Sequence, residues 1–207
     1  MNTFVEVFGV ILPLFVLIFS IIAHEVAHGF AAYLHGDNTA YNEGRLTLNP
    51  IPHIDIMGSI VVPLISVLFT NYSFGWAKPV PYNPNNLSGK YAESWVASAG
   101  VLTNFSIALA AVLVFKGAMY MGVDLGSLSN LFLLIVWINI SLGVFNLIPV
   151  PPFDGMAIAQ SFFPRLRLAT RGFMYSPLYM IGIIIVASTV FSMFIPTLFA
   201  FVRSILL

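Results

Sequence analysis

The chain has 207 residues, 59% of them hydrophobic and 8% charged, with a formal net charge of zero. Soluble domains carry about a quarter charged residues, so this chain cannot clothe a water-facing surface, and its mean hydropathy of +0.94 makes the bilayer its natural solvent. Without a basic run it lacks the electrostatic footprint of nucleic-acid binding. Without cysteine it has neither disulfides nor thiolate ligands, so any zinc site must use His, Asp or Glu.

The first apolar stretch, about 8–34, is long enough to span a membrane. No Lys or Arg precedes it, it follows Glu6, and it has no small-x-small cleavage site, so it reads as a retained helix, not a leader. A polar stretch with turn residues follows over 36–55. The next apolar segment, 56–70, is short and interrupted by Gly58 and Pro63. Prolines exclude a helix from the loop that follows, which includes Phe74-Gly75-Trp76-Ala77-Lys78-Pro79-Val80-Pro81 and predicts an extended segment or a short β-hairpin near 72–82. Tyr72 and Trp76 are suited to a membrane interface.

Two further spans, about 92–121 and 128–148, are separated by a turn at Asp124 and Gly126. The second runs into Pro149-Val150-Pro151-Pro152-Phe153-Asp154-Gly155. A basic connector holds Arg165, Arg167 and Arg171, and the last span, about 177–202, begins at the first-turn proline Pro177. Pro196 either kinks it or opens a short interfacial tail. The expected fold is an all-α polytopic membrane protein of one domain, 1–207, with about four full transmembrane helices and one re-entrant or hairpin segment at about 56–70. No internal repeat or appended module is evident.

His24 and His28 are spaced i and i+4, which puts both imidazoles on one helix face about a turn apart. That spacing suits one zinc ion, and the intervening Glu25 is placed to act as general base toward a water on it. Ionisable groups inside an apolar helix are costly and mark a functional site by default. Ala23, Ala27 and Ala31 form a small-residue stripe that would let a partner helix come close. Catalytic zinc needs a third protein ligand. Asp154, beyond the proline break of the fourth stretch, is the best candidate; its plain alternative is an Asp-Gly turn at a helix end. His53 and Asp55 are a lesser ligand set, read as a surface turn with a supporting or substrate-contacting role left open. Solvation accounts for His35 and Asp37 in a helix-ending turn.

His24-Glu25-xx-His28, then Gly100-xxx-Asn104, then Asn146-xx-Pro149-x-Pro151-xx-Asp154-Gly155 together resemble the site-2 protease family of intramembrane zinc metalloproteases. Asn49-Pro50-xx-His53-Ile54-Asp55 and the Phe74–Pro81 run are similar to its compact prokaryotic branch without PDZ or CBS modules. Val101 departs from the proline the family often has after the glycine. The resemblance implies that His24, His28 and Asp154 bind Zn2+, that Glu25 activates water, and that Asn104 and Asn146 line the site. Asn104 would donate to the oxyanion or hold an unwound strand; hydrogen bonding between helices is its equal alternative.

Ligands of one zinc converge to about 2 Å from it, so the C-terminal ends of the first and fourth stretches must face the same side. If every stretch crossed once, those ends would lie a hydrocarbon core of about 30 Å apart. The segment 56–70 is therefore expected not to cross. Arg45, Lys78, Lys90, Arg165, Arg167 and Arg171 then share one face, the cytoplasmic one by the positive-inside rule, leaving Lys116 and Arg203 opposite. The expected function is hydrolysis of peptide bonds in or near transmembrane segments of membrane-protein substrates, in a multi-pass prokaryotic cell-membrane protein. A metal or ion transporter using the same His and Asp residues is the alternative from another class, and an inactive scaffold a third. The oligomeric state is left open.

Overall fold

A computed structural model of the chain describes residues 3–62, 64, 77–163, 165–166 and 177–206. Among them are α1 (Thr3–Leu34), α2 (Thr39–Asn42), α3 (Ala92–Tyr120), α4 (Leu128–Asn146), α5 (Asp154–Phe162) and α6 (Pro177–Leu206), and no strand. Among the described residues, three helices are long and apolar enough to cross a membrane: Ile11–Leu34 of α1, all of α3 and all of α4. The 19 residues of α4 reach about 28 Å at the α-helical rise, close to the thickness of a hydrocarbon core. The 30-residue α6 continues without a break past Pro196, so no separate tail forms there. A proline removes one backbone bond, and in an apolar medium the rest of the helix has no better way to satisfy its amides. Residues 72–76 of the hairpin expected near 72–82, and residues 63 and 65–70 of the re-entrant segment expected at 56–70, lie outside the described residues. Of the hairpin, residues 77–82 belong to no helix or strand.

The chain divides into two compact units, residues 1–100 and 101–207. In the first, α1 is inverted relative to a soluble helix. Ile11, Leu14, Phe15 and Phe30 are more than half exposed, whereas Ser20, His24 and His28 are buried on one stripe. Large apolar groups facing outward suit lipid, and polar groups facing inward avoid it. The helix ends where Gly36 takes a left-handed φ of +100°. His35 Nδ1 donates to the Ala31 carbonyl at 2.8 Å, capping the last turn.

Asp37 is fully buried, not solvated as its sequence setting suggested. Its carboxylate accepts from Thr39 Oγ1 at 2.6 Å, Thr39 N at 3.2 Å, Asn83 N at 2.7 Å and Asn86 Nδ2 at 2.8 Å. Together with Ser88 N donating to the His35 carbonyl at 2.7 Å, it fastens the 83–88 loop to the end of α1. His53 is also buried, at 2% exposure, and is no surface turn: its Nε2 donates to the Thr47 carbonyl at 2.8 Å. Asp55 caps the wide π-helical turn Ile56–Val61, accepting from Gly58 N at 2.6 Å.

In the second unit Ala108, Ala111 and Phe115 of α3, Val136 of α4, and Val202 and Leu206 of α6 form one buried cluster. Phe115 meets Phe132 at 5.7 Å between ring centroids, and Trp137 meets Phe199 edge-on at 5.3 Å. Lys116 Nζ donates to the Leu206 carbonyl at 3.1 Å, putting a cation on the C-terminal dipole of α6. This brings the C-terminal ends of α3 and α6 to the same end of the unit. A side chain at Gly143 would overlap the Phe105 ring, at 2.6 Å from Cε1, so glycine lets that ring lie against α4.

Burial by itself raises the Asp37 carboxyl, but its hydrogen bonds from Thr39, Asn86 and Asn83 outweigh this and hold it below its ordinary value of 3.8. Its stabilisation is thus complete above about pH 4 and is lost as pH falls through the lowered value. In detergent, Asp37→Ala is expected to lower the thermal midpoint most at neutral pH, and the gap to the wild type to narrow below about pH 4. An equal gap at pH 7 and pH 3 would refute this account.

Candidate active site

The site in the first unit grows out of the second half of α1. One helical turn separates His24 from His28, and their Nε2 atoms approach to 3.1 Å with the rings edge-on. The second nitrogen of His28 decides what this approach means. Nδ1 lies 2.7 Å from the Val96 carbonyl, which can only accept, so Nδ1 carries a hydrogen and leaves Nε2 as the nitrogen whose lone pair a metal can take. Two ring nitrogens held this close need a proton or a cation between them. Tetrahedral zinc, with Zn–N of about 2.0–2.1 Å, would separate its two nitrogens by about 3.3 Å. The pair therefore fits a metal, and the bond to Val96 is the kind of outer contact that orients a ligating histidine.

Gly100 explains how α3 reaches this pair. A Cβ there would stand 2.5 Å from His24 Cε1 and His28 Nε2 and 2.6 Å from His24 Nε2. Only a residue without a side chain lets the α3 backbone lie against both imidazoles. The glycine of the Gly100-xxx-Asn104 motif is thus a close-approach glycine, and Val96, one turn earlier, is a site residue that sequence reading missed. Nothing in a buried valine signals that its carbonyl carries the contact.

Glu25 is half-buried beside the pair. Its Oε2 accepts from Val80 N at 3.0 Å, so the Pro-rich segment meets the acid through its backbone. Val80 is 5% exposed, and a side chain at Gly29 would overlap its Cγ1 at 2.5 Å. Arg45, also 5% exposed, donates through Nη2 to the Lys78 carbonyl at 2.8 Å and the Pro79 carbonyl at 3.2 Å. Lys78 N donates in turn to the His53 carbonyl at 2.9 Å. His53 serves this region as a packed anchor.

In the second unit, Asp154 is half-buried and opens α5. The Asp-Gly pair starts a helix there and is not a simple turn. A carboxylate in the first helical turn is favoured by the N-terminal dipole. A side chain at Gly155 would collide with the Leu147 and Ile148 carbonyls, so this glycine lets α5 start directly against the end of α4. Phe145 and Phe153 meet edge-on at 4.6 Å across the proline bend. Asn104 and Asn139 are both fully buried, and Asn104 Nδ2 donates to Asn139 Oδ1 at 3.0 Å. Asn139 Nδ2 donates to the Ile135 carbonyl at 2.9 Å, joining α3 to α4 through side-chain amides. Asn146 Nδ2 donates to the Leu142 carbonyl of its own helix at 3.0 Å.

Residues 118–189 match the model of Peptidase family M50. A curated relative from Bacillus subtilis (strain 168), named "Putative zinc metalloprotease YwhC", is 34% identical over 154 residues, spanning 72% of this chain and 67% of the relative. No solved structure matches the chain significantly. The relative's similarity over two thirds of both proteins and the family match across Asn146-xx-Pro149-x-Pro151-xx-Asp154-Gly155 lead to one assignment: the chain belongs to Peptidase family M50, the site-2 protease family of membrane-embedded zinc metalloproteases.

Proposed function

We propose that this protein is an intramembrane zinc endopeptidase that cuts peptide bonds in or near transmembrane segments of membrane-protein substrates. The observation that carries the reading is the opposed Nε2 pair of His24 and His28, 3.1 Å apart and next to Glu25, on a helix apolar enough to cross a bilayer. His24 and His28 supply two zinc ligands and Asp154 the third. The motif order, the half-buried carboxylate at the start of α5 and the family support Asp154 in that place. Zinc held there would supply Lewis acidity toward the water nucleophile and the scissile carbonyl.

The chain's own residues do the rest. Glu25 takes the proton from the attacking water and delivers it to the leaving amine. Val96 keeps His28 in the tautomer whose Nε2 lone pair faces the site. Asn104 and Asn146 are assigned to the site walls, where a carboxamide can donate to the developing oxyanion. Asn104 reaches that role only while keeping or exchanging its bond to Asn139. A helical substrate must first unwind, because its scissile carbonyl is otherwise hydrogen-bonded within the helix. In this reading α6 also crosses the bilayer, the 56–70 segment does not, and the site faces the cytoplasm of a prokaryotic cell. The basic residues Arg45, Lys78, Lys90 and Arg165 favour that orientation.

Three outcomes follow with purified protein and a co-expressed single-span substrate. Glu25→Gln keeps its zinc, by elemental mass spectrometry, and loses cleavage by about a hundred- to ten-thousand-fold. Asp154→Ala loses zinc and cleavage together, whereas an Asp154→Ala protein with full zinc would remove Asp154 from the ligand set. Gly100→Ala, whose new methyl occupies the space of both imidazoles, also lowers zinc content. Zinc retention there would mean that the helices can part without disturbing the pair.

A further inference from the structure

The segment Lys78–Pro81 carries a role that the ligand-and-base scheme does not assign. Between Pro79 and Pro81, which have no N–H, Val80 N is the only backbone donor, and it is directed at Glu25 Oε2 at 3.0 Å. The other backbone donor of this stretch, Lys78 N, is taken by the His53 carbonyl. Both are spent inside the unit, which leaves Lys78–Pro81 no ladder donor for a substrate strand. The carbonyls of Lys78 and Pro79 are held by the buried Arg45 guanidinium, and the Val80 side chain is buried over Gly29, one turn beyond Glu25. An extended stretch gripped on both sides thus presents a single rigid N–H to the acid.

We infer that Lys78–Pro81 is a positioning strap for the general base, with Val80 N–H anchoring one carboxylate oxygen of Glu25 and Arg45 holding the strap in register. The inference rests on the protease reading of Glu25. A carboxylate on a two-carbon stem has several rotamers, and one fixed oxygen leaves the other directed at the water it must deprotonate. Main-chain donors serve this purpose well because they cannot rotate away. The flanking prolines then have two uses: they keep the stretch extended, and they ensure that no neighbouring amide competes for the acid.

The test uses the zinc-loaded full chain in proteoliposomes with a single-span substrate, comparing the wild type, Arg45→Met, Arg45→Lys and a protein whose Val80 amide is replaced by an ester. The ester and Arg45→Met are expected to lower kcat about tenfold or more, with KM and zinc content little changed. Arg45→Lys, which can still donate to the two carbonyls, should recover part of the loss. A second measurement needs no activity: amide exchange at Val80 should accelerate about tenfold or more in Glu25→Ala. Wild-type kcat in the ester protein would overturn the inference, as would unchanged Val80 exchange in Glu25→Ala. Loss of zinc together with kcat in Arg45→Met would overturn the role given to Arg45. A zinc-loaded wild type that cuts nothing would instead refute the protease reading, while the exchange measurement still decides whether Val80 holds Glu25.

Discussion

Two imidazoles and a carboxylate within one turn of an apolar helix persist in a bilayer only if the surrounding chain meets them at contact distance. In hydrocarbon each unsatisfied polar group costs several kcal/mol. The first unit is arranged around this demand. The Val96 carbonyl accepts a hydrogen bond from His28 Nδ1, the bare backbone at Gly100 lies against both rings, and Val80 N reaches Glu25. Two of these three contacts come from backbone atoms and the third from a missing side chain. Backbone contacts need tight packing, so the glycines at 29 and 100 matter as much as the polar residues they admit.

The same demand organises the loops. In water, Arg45, Asp37 and His53 would be expected at the surface. Here they are buried at 5%, 0% and 2% exposure and spend their hydrogen bonds on backbone groups or short polar side chains of neighbouring loops. Arg45 grips the carbonyls of Lys78 and Pro79, Asp37 gathers the 83–86 turn, and the His53 carbonyl receives Lys78 N. A proline-rich segment has few amides with which to join secondary structure. It is held by long side chains reaching its carbonyls, and this gripping keeps Val80 in position over α1.

The second unit meets the problem between helices. Asn104 and Asn139 satisfy each other where neither could face lipid, and Lys116 finds the free carbonyl at the end of α6. Gly143 and Gly155 repeat the use of glycine for close approach, once to admit an aromatic ring and once to let a helix begin against the end of the preceding one. The family match covers 118–189, and the histidine pair lies before it in the chain.

By itself the sequence determined the solvent, the four long helices to within a few residues at most of their ends, and the placing of the two histidines on one helix face. These follow from local properties: hydropathy over a span-length window, prolines as breaks, and the i, i+4 spacing that forces two side chains onto one face. It did not reveal α5, because Asp154-Gly155 reads equally as a turn, and whether it opens a helix depends on Gly155 fitting against the Leu147 carbonyl. Nor did it reveal that Asp37 and His53 are buried, that Asn139 partners Asn104, or that Val96 and Val80 act through their backbones. Backbone carbonyls and amides are the same at every position, so no residue type announces which of them will meet a histidine or a glutamate. Only tertiary packing chooses that, by deciding which stretches of chain come within 3 Å of each other.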